Sequence, residues 1–270
     1  MVDIRGFLPI SLIEFPGRIS SVVFTGGCNL RCPFCHNPGL VSVGAQNLVP
    51  KISEEELLKK IKEKSQWIDA VCFTGGEPTL NADLPDLFEK IKKIRGILSE
   101  PLEIMLETNG IKPEMIENLI ARKLVDYIAM DVKAPFDDYK IKLGASDGMV
   151  EKIKKSVKII CDFGYRDASQ CATTKERGVG AQYIDFLPLD KGEVRRGYEF
   201  RITIAPEIVT QENIGIIAQQ VAAASKVILQ QFRPIITLDP AWQKKQPYPD
   251  CEIKNMAEIL RGAVDSVEIR

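Results

Sequence analysis

Histidine is almost missing from this sequence. His36 is the single histidine among 270 residues, which excludes a metal site built from several imidazole ligands. Long apolar runs are missing as well: no stretch approaches roughly eighteen uninterrupted apolar residues, so we expect no transmembrane helix. Residues 1–17 lack a basic segment followed by a long apolar run, so we expect no signal peptide. Together these absences predict a cytoplasmic protein.

An excess of charge of one sign is missing too. The chain carries 36 Lys and Arg residues against 37 Asp and Glu residues, a formal net charge of −1. Charge therefore gives no reason to expect nucleic acid as a partner. Hydrophobic residues make up 45% of the chain, which is enough for a sizeable core. The length fits one large α/β domain or two small ones.

Short β-branched runs alternate with amphipathic segments along most of the chain, as is typical of βα units and a parallel sheet. The predicted strands cover 19–25, 70–74, 103–107, 125–131, 198–205 and 226–231. The predicted helices cover 53–64, 83–94, 113–122, 149–162, 211–224 and 253–264. About six βα units are too few for a closed eight-stranded barrel. We predict one α/β domain over 1–270, a partial (β/α)6-type barrel with a mostly parallel sheet and functional groups at the carboxyl ends of its strands.

Local signals support two of the helix starts, and one segment breaks the pattern. Ser53 and Glu56 form a capping box, and Pro113 suits the first turn of a helix.

Residues 164–197 contain five glycines and scattered charges without a sustained period. Loops of this length are uncommon in compact domains and tend to be functional or disordered. The insert is therefore a docking element, a lid or a tolerated surface loop.

Three of the seven cysteines crowd into eight residues directly after the first predicted strand. Cys28, Cys32 and Cys35 have the spacing C-x3-C-x2-C. In a reducing cytosol such a group indicates metal binding or catalysis rather than disulfides. Three thiolates on a four-iron cluster leave one iron without a protein thiolate, and that iron is open to chemistry. Gly26 and Gly27 allow the backbone to fold closely around such a cluster.

Other interpretations use the same residues. The segment 32–36 matches the C-x-x-C-H signature of c-type haem attachment, although no export signal accompanies it. A zinc site would use the three cysteines and His36, but His36 directly follows Cys35 and zinc ligands are usually spaced apart. The cysteines could also be inert or redox thiols. A second cluster or free structural thiols are the alternatives for Cys161, Cys171 and Cys251.

The cysteine motif, with Phe34 before its last cysteine, resembles the signature of the radical S-adenosylmethionine (SAM) superfamily. The run FTGGCNLRCPFCHNP at 24–38 and the upstream SLIEFPG at 11–17 are similar to the activating proteins of anaerobic ribonucleoside-triphosphate reductases. They are also similar to pyruvate formate-lyase activases. The resemblance extends over 1–162 and 198–270, and LQQFRP at 229–234 is similar to the reductase-activating type.

A second motif, Gly75-Gly76-Glu77-Pro78, ends a predicted strand. By turn chemistry alone, such a sequence is most often a simple turn. The resemblance implies instead that Gly75, Gly76 and Glu77 bind the amino group of SAM, and a carboxylate suits an ammonium group. The resemblance further implies that the cofactors contact Phe34, His36, Thr108, Asn109, Asp131 and Lys133.

Two charged positions have alternative interpretations. Glu107, Thr108 and Asp131 would form an oxygen-rich site for a monovalent cation beside SAM, although the related activases have Asp where Glu107 stands. Asp131 and Lys133 could instead be a solvated ion pair.

Arg201 lies within an otherwise apolar predicted strand, so it requires an anionic partner. The resemblance implies the SAM carboxylate or ribose region, and a structural carboxylate is the alternative.

The resemblance implies that a reduced [4Fe–4S] cluster cleaves SAM to methionine and a 5′-deoxyadenosyl radical, and that the radical takes a hydrogen from a glycine of a partner enzyme. A low-potential flavodoxin or ferredoxin would supply the electron under anaerobic conditions. The partner would be anaerobic ribonucleotide reductase. The alternatives are another glycyl-radical enzyme of the pyruvate formate-lyase type, a small molecule or RNA as substrate, as in a deazaguanine synthase, and a metal-binding module without enzymatic activity.

Overall fold

The computed structural model describes residues 1–41, 49–168 and 197–270. Its strands are β1 (Ile4–Ser11), β2 (Ser20–Thr25), β3 (Ala70–Gly75), β4 (Glu103–Thr108), β5 (Tyr127–Asp131), β6 (Gly197–Ile204), β7 (Val227–Gln231) and β8 (Val267–Ile269). Its helices are α1 (Pro38–Val41), α2 (Glu54–Lys64), α3 (Leu84–Lys92), α4 (Pro113–Ala121), α5 (Tyr139–Leu143), α6 (Met149–Ala168), α7 (Ile214–Gln220) and α8 (Asp250–Arg261).

All eight strands form one sheet in the order of the sequence, from β1 to β8. Strands β2 to β8 pair in parallel, whereas β1 is antiparallel to β2. In the described part of the chain, the two edge strands β1 and β8 do not pair with each other, so the barrel is open. The predicted fold class, an α/β domain with a mostly parallel and unclosed sheet, is confirmed.

The ends of the sheet differ from the sequence prediction. The first strand is not 19–25, because β1 precedes it and pairs with β2 from Ile4 opposite Thr25 to Ser11 opposite Ser20. The prediction also missed β8, which has only three residues. Pro9 suits an edge strand because the missing N–H costs nothing on an unpaired side. Its presence also weakens the strand signal in the sequence.

Two helices have other lengths than predicted. Helix α7 covers only Ile214–Gln220 of the predicted 211–224. Helix α6 continues past 162 to Ala168, so the first residues of the 164–197 insert are helical. Gly197, the last residue of that insert, begins β6. The remainder, 169–196 with Cys171, lies outside the described residues. No helix among the described residues is long and apolar enough to cross a membrane.

Apolar side chains cover both faces of the sheet. One face packs against the helices and forms the large core, with strand residues such as Val23, Phe73 and Leu106. The alternate strand residues face the inside of the partial barrel and form a smaller cluster with Phe15 from the β1–β2 connection. Its buried members are Phe15, Val22, Ala70, Cys72, Met105 and Ala129. These side chains fill the inside of the barrel, and the open space lies towards the carboxyl ends of the strands.

The two helix starts that have local sequence signals agree with the structure. The Ser53 side chain accepts a hydrogen bond from the backbone N–H of Glu56 at 3.1 Å, which is one of the two bonds of a capping box. Pro113 lies in the first turn of α4. These local signals place α2 and α4 after β2 and β4 and so help to bring the strand ends to one edge of the sheet.

Candidate active site

A cavity of about 360 Å³ opens at the carboxyl ends of the parallel strands. It lies where a parallel α/β sheet normally binds its ligands. Every residue that the sequence analysis selected as a cofactor or metal ligand lines it. These are Cys28, Cys32, Phe34, Cys35, His36, Gly75, Gly76, Glu77, Thr108, Asn109, Asp131, Lys133 and Arg201. Five strands, β2 to β6, and the loops that follow them thus supply these residues to one site.

The cysteine loop is held in place by backbone hydrogen bonds to three other segments. Gly27 donates to the Leu40 carbonyl at 2.7 Å, and Arg31 donates to the Leu143 carbonyl at 2.8 Å. Asp239, from the segment after β7, donates to the carbonyl of Pro33 at 3.0 Å. These bonds fix the cysteine loop against α1, α5 and the segment after β7.

The three cysteines fit a multi-iron cluster better than a single metal ion. Within the described ranges, no three or more His, Cys, Asp or Glu side chains are placed to hold one ion. A four-iron cluster gives each thiolate an iron of its own, so the sulfurs need not meet at one point. Burial raises the pKa of Cys32 to about 12, against the opposing charge of Lys133. The free thiol is therefore protonated at neutral pH, and iron binding must displace its proton.

Aromatic packing supports the carboxyl-terminal half of the cysteine loop. The Phe34 ring lies 5.9 Å from the ring of Trp242, and His36 lies 6.2 Å from Phe232 in an edge contact. Burial lowers the pKa of His36, and the positive charges of Lys133 and Arg233 lower it further. The imidazole is therefore neutral at physiological pH, and both rings present uncharged surface to the cavity.

The two glycines of the Gly-Gly-Glu-Pro motif allow two loops to touch. Gly75 has a backbone φ of +119°, which residues other than glycine rarely adopt. A Cβ atom on Gly76 would overlap the carbonyl oxygen of Gly27 and lie 2.6 Å from its carbonyl carbon. The backbone N–H of Glu77 donates to the same Gly27 oxygen at 2.8 Å. The motif therefore packs directly against the start of the cysteine loop.

Glu77 is buried, with 1% of its surface exposed, and its carboxylate already accepts four hydrogen bonds. One oxygen accepts from the Thr108 hydroxyl at 2.7 Å and from the backbone N–H and hydroxyl of Thr79. The other accepts from the backbone N–H of Asn109 at 2.7 Å. Burial raises the pKa of Glu77, while these donors act in the opposite direction. Glu77, which the sequence analysis selected as a ligand for the SAM amino group, therefore also connects the loops that follow β3 and β4.

Asn109 links the end of β4 to the cysteine loop. Its Nδ2 donates to Oδ1 of Asn29 at 2.8 Å and lies 3.9 Å from Sγ of Cys28. Its Oδ1 accepts from the backbone N–H of Ile111 at 3.1 Å. The sequence analysis selected Asn109 but missed Asn29, whose position one residue after Cys28 was the only available signal.

Lys133 and Asp131 form an ion pair at the end of β5, with Nζ and Oδ2 separated by 2.9 Å. The Tyr139 hydroxyl accepts from the backbone N–H of Lys133 at 2.8 Å and fixes this segment. Burial acts to lower the pKa of Lys133, but the carboxylate of Asp131 raises it on balance. The ammonium group therefore stays charged beside the cysteine loop.

Arg201 has internal carboxylate partners, which was the alternative to a contact with SAM. Its Nε donates to Glu199 at 2.6 Å, and its terminal nitrogens contact Oε1 of Glu107 and the Glu14 carbonyl. Glu14 lines the cavity, and burial together with the charge of Glu107 raises its pKa. The sequence analysis quoted SLIEFPG only as a resemblance and missed Glu14, because no local signal shows that this loop enters the barrel.

Known proteins are similar to this chain over long stretches of its sequence. A model of the radical SAM superfamily matches residues 22–174. A protein of Methanocaldococcus jannaschii, provisionally named a glycyl-radical enzyme activating enzyme, is 31% identical over 269 residues, 99% of this chain and 95% of that protein. The pyruvate formate-lyase-activating enzyme of Clostridium pasteurianum is 31% identical over 165 residues, 59% of this chain and 65% of that enzyme. A protein of Methanococcus maripaludis, provisionally named a GTP 3′,8-cyclase, is 29% identical over 62% of this chain and 58% of its own length. The last two matches span less than two thirds of the relatives.

Solved structures share the fold. Streptococcus suis SuiB bound to its precursor peptide SuiA has a TM-score of 0.56 at 13% identity, over 92% of this chain and 48% of that one. QueE from Escherichia coli has a TM-score of 0.50 at 14% identity, over 100% and 93% of the two chains. At such identities the likeness concerns the fold alone. With the family match over residues 22–174 and the full-length relative, the chain belongs to the radical SAM superfamily.

Proposed function

We propose that this protein is an activase that cleaves SAM reductively and generates a glycyl radical on a partner enzyme. The observation that carries the proposal is the full-length similarity to the M. jannaschii protein, which covers 99% of this chain. The match to the pyruvate formate-lyase activase supports the same class of activity. By the resemblance of SLIEFPG and LQQFRP, we take anaerobic ribonucleotide reductase as the first candidate for the partner.

The residues of the cavity divide into two groups in this proposal. Cys28, Cys32 and Cys35 would hold a [4Fe–4S] cluster, which when reduced would supply the electron for the cleavage of SAM to methionine and a 5′-deoxyadenosyl radical. SAM occupies the remaining cavity, lined by Phe34, His36, Gly75, Gly76, Glu77, Thr108, Asn109, Asp131, Lys133 and Arg201. The fixed cysteine loop and the buried lower barrel restrict water around the reacting groups.

The charges of the cavity favour a substrate without phosphate groups. Four carboxylates line it, from Glu14, Glu77, Glu107 and Asp131. The cationic side chains among its described lining residues are Lys133 and Arg201, and each is paired with a carboxylate of the same cavity. A nucleoside triphosphate would require free cations to balance its charge. This observation supports a polypeptide substrate over GTP, the substrate named for the cyclase relatives.

Several finer points belong to the same proposal. A monovalent cation near Glu107, Thr108 and Asp131 would have to compete with Arg201 and Lys133 for the two carboxylates. We also propose one domain over 1–270, a cytoplasmic location, anaerobic conditions, and a low-potential flavodoxin or ferredoxin as electron donor. The proposal includes no membrane and no nucleic acid as a partner. Deletion of residues 164–197 tests whether that segment takes part in docking of the partner enzyme.

Electron paramagnetic resonance tests the proposed function. The cluster-loaded protein is reduced anaerobically and mixed with SAM and anaerobic ribonucleotide reductase. We expect the doublet signal of a glycyl radical on the reductase, and no signal with the Cys32→Ser variant. Release of 5′-deoxyadenosine without this signal, from the reductase or from a pyruvate formate-lyase type partner, would favour a small-molecule or RNA substrate instead.

A further inference from the structure

The carboxylate of Glu77 is held by four internal donors and is closed to solvent. Oε1 accepts from the Thr108 hydroxyl and from the N–H and hydroxyl of Thr79, and Oε2 accepts from the N–H of Asn109. Each carboxylate oxygen offers about two lone-pair positions, so among the donors of the described residues Oε2 has one. Because the side chain is 1% exposed, an ammonium group of SAM could reach the second position on Oε2 only if the groups that cover it moved.

Glu77 holds the backbone of the residue that reaches the cysteine loop. Its second oxygen accepts the N–H of Asn109 at 2.7 Å, while the side chain of Asn109 donates to Asn29 at 2.8 Å and points towards Sγ of Cys28 at 3.9 Å. The Glu77 N–H is itself bound to Gly27 at 2.8 Å. A closed set of contacts thus runs from Gly27 through Glu77 and Asn109 back to the cysteine loop.

We propose that Glu77 is a positioning residue that orients Asn109 against the cysteine loop, and that it does not contact SAM itself. Its effect on the cofactors passes through Asn109. The proposal rests on the SAM and cluster site but not on the target of the radical. Its test requires no partner enzyme, so its failure is distinguishable from a failure of the proposed function.

A double-mutant cycle separates positioning from direct contact. Glu77→Gln keeps the shape but has one oxygen, so it cannot accept from the N–H groups of both Asn109 and Thr79. Asn109→Ala keeps the backbone N–H that Glu77 binds and removes only the side chain. The two single variants and the double variant are loaded with the cluster. The dissociation constant of SAM and the electron paramagnetic resonance spectrum of the reduced cluster without SAM are measured.

We expect each single variant to weaken SAM binding by about tenfold or more, the effect of one lost hydrogen bond to a charged group. In the Asn109→Ala background, Glu77→Gln should add less than about twofold, and both single variants should alter the spectrum before SAM is added. Glu103→Gln is the matched control: Glu103 pairs with Arg18 at 2.7 Å at the opposite end of β4, and its variant should leave both measurements unchanged.

Two results would overturn the proposal. Equal losses of affinity from Glu77→Gln in the wild-type and Asn109→Ala backgrounds, with an unchanged SAM-free spectrum, would place Glu77 in direct contact with SAM. If Glu77→Gln takes up no iron, the Asn109→Ala variant decides by itself, because Glu77 is unchanged in it. Wild-type SAM affinity and a wild-type spectrum in Asn109→Ala would show that Glu77 does not act through Asn109.

Discussion

Nε of Arg201 donates to Oε1 of Glu199 at 2.6 Å, and the two residues lie on the same face of β6. The Glu199 side chain is fully buried and also accepts from the Tyr127 hydroxyl at 3.0 Å. The Arg201 side chain also contacts Glu107, which lines the cavity. A charge within an apolar strand is thus balanced inside the protein, and the pair supports the floor of the cofactor cavity.

Loss of Glu199 should destabilise the fold. Removal of one partner from a buried ion pair costs about 3–5 kcal/mol, and we expect about 3 kcal/mol for Glu199→Gln because Glu107 still contacts Arg201. Denaturant unfolding measures this change. The surface variant Glu268→Gln, which loses a half-exposed pair with Arg270, should cost less than about 1 kcal/mol. Equal stability of the two variants would show that the buried pair contributes little.

The cluster assignment predicts a sharp division among the cysteines. Cys28→Ala, Cys32→Ala and Cys35→Ala should each abolish the absorption of a reconstituted four-iron cluster. Cys72→Ala and Cys251→Ala should retain it, because Cys72 is buried in the barrel and Cys251 is exposed on α8. A requirement for Cys161, Cys171 or Cys251 in the same absorption would contradict the three-ligand assignment.

The contact between the two loops makes Gly76 intolerant of a side chain. In Gly76→Ala the new Cβ overlaps the Gly27 backbone, so the cysteine loop must shift. We expect a loss of about 1–3 kcal/mol in unfolding free energy and a lower iron content after reconstitution. Gly215→Ala is the control, since its nearest neighbour would be Ile259 at 4.0 Å. In helix α7 it should stabilise the protein by up to about 1 kcal/mol. Full iron loading of Gly76→Ala would contradict the required close approach.

The sequence predicted β2 to β7, six of the seven strands that pair in parallel, because most of them are apolar runs followed by a polar motif. It missed β1 because Gly6 and Pro9 interrupt the pattern, and a strand at an edge tolerates both. It missed β8 because three residues carry no period. It ended α6 too early because Gly164, a weak helix former, lies inside the helix.

The composition of the site was predictable, but the connections within it were not. The cysteine spacing and the strand-end motifs placed every selected residue at one cavity, because parallel strands bring their carboxyl ends together. The partners of Arg201 come from residues up to 187 positions away, and those of the Glu77 carboxylate from residues up to 32 positions away. No periodicity or local motif records such pairs, so the sequence left the partner of Arg201 open and did not predict the internal donors of Glu77.

Glu14 gives the stability of the protein a measurable dependence on pH. Burial and the nearby Glu107 raise its pKa in the folded state above the ordinary value of 4.5, so the fold disfavours the ionised form. Its contribution to stability is complete below about pH 4.5 and is lost as the pH rises through the folded-state pKa. Glu14→Gln removes this loss. The variant should equal the wild type in denaturant midpoint near pH 4 and exceed it near pH 7. A midpoint below that of wild type at neutral pH would contradict the shift.

The transfer of a hydrogen atom from a partner's glycine to the SAM-derived 5′-deoxyadenosyl radical is the central claim, and isotope labelling of the 5′-deoxyadenosine that forms measures it directly. Anaerobic ribonucleotide reductase is prepared with glycine deuterated at the α-carbon and mixed with the reduced, cluster-loaded protein and SAM. We predict 5′-deoxyadenosine with one deuterium atom, formed in proportion to the glycyl radical signal. The control with Cys32→Ser should release none. Unlabelled 5′-deoxyadenosine from the wild type, without a glycyl radical on this partner, would contradict the account.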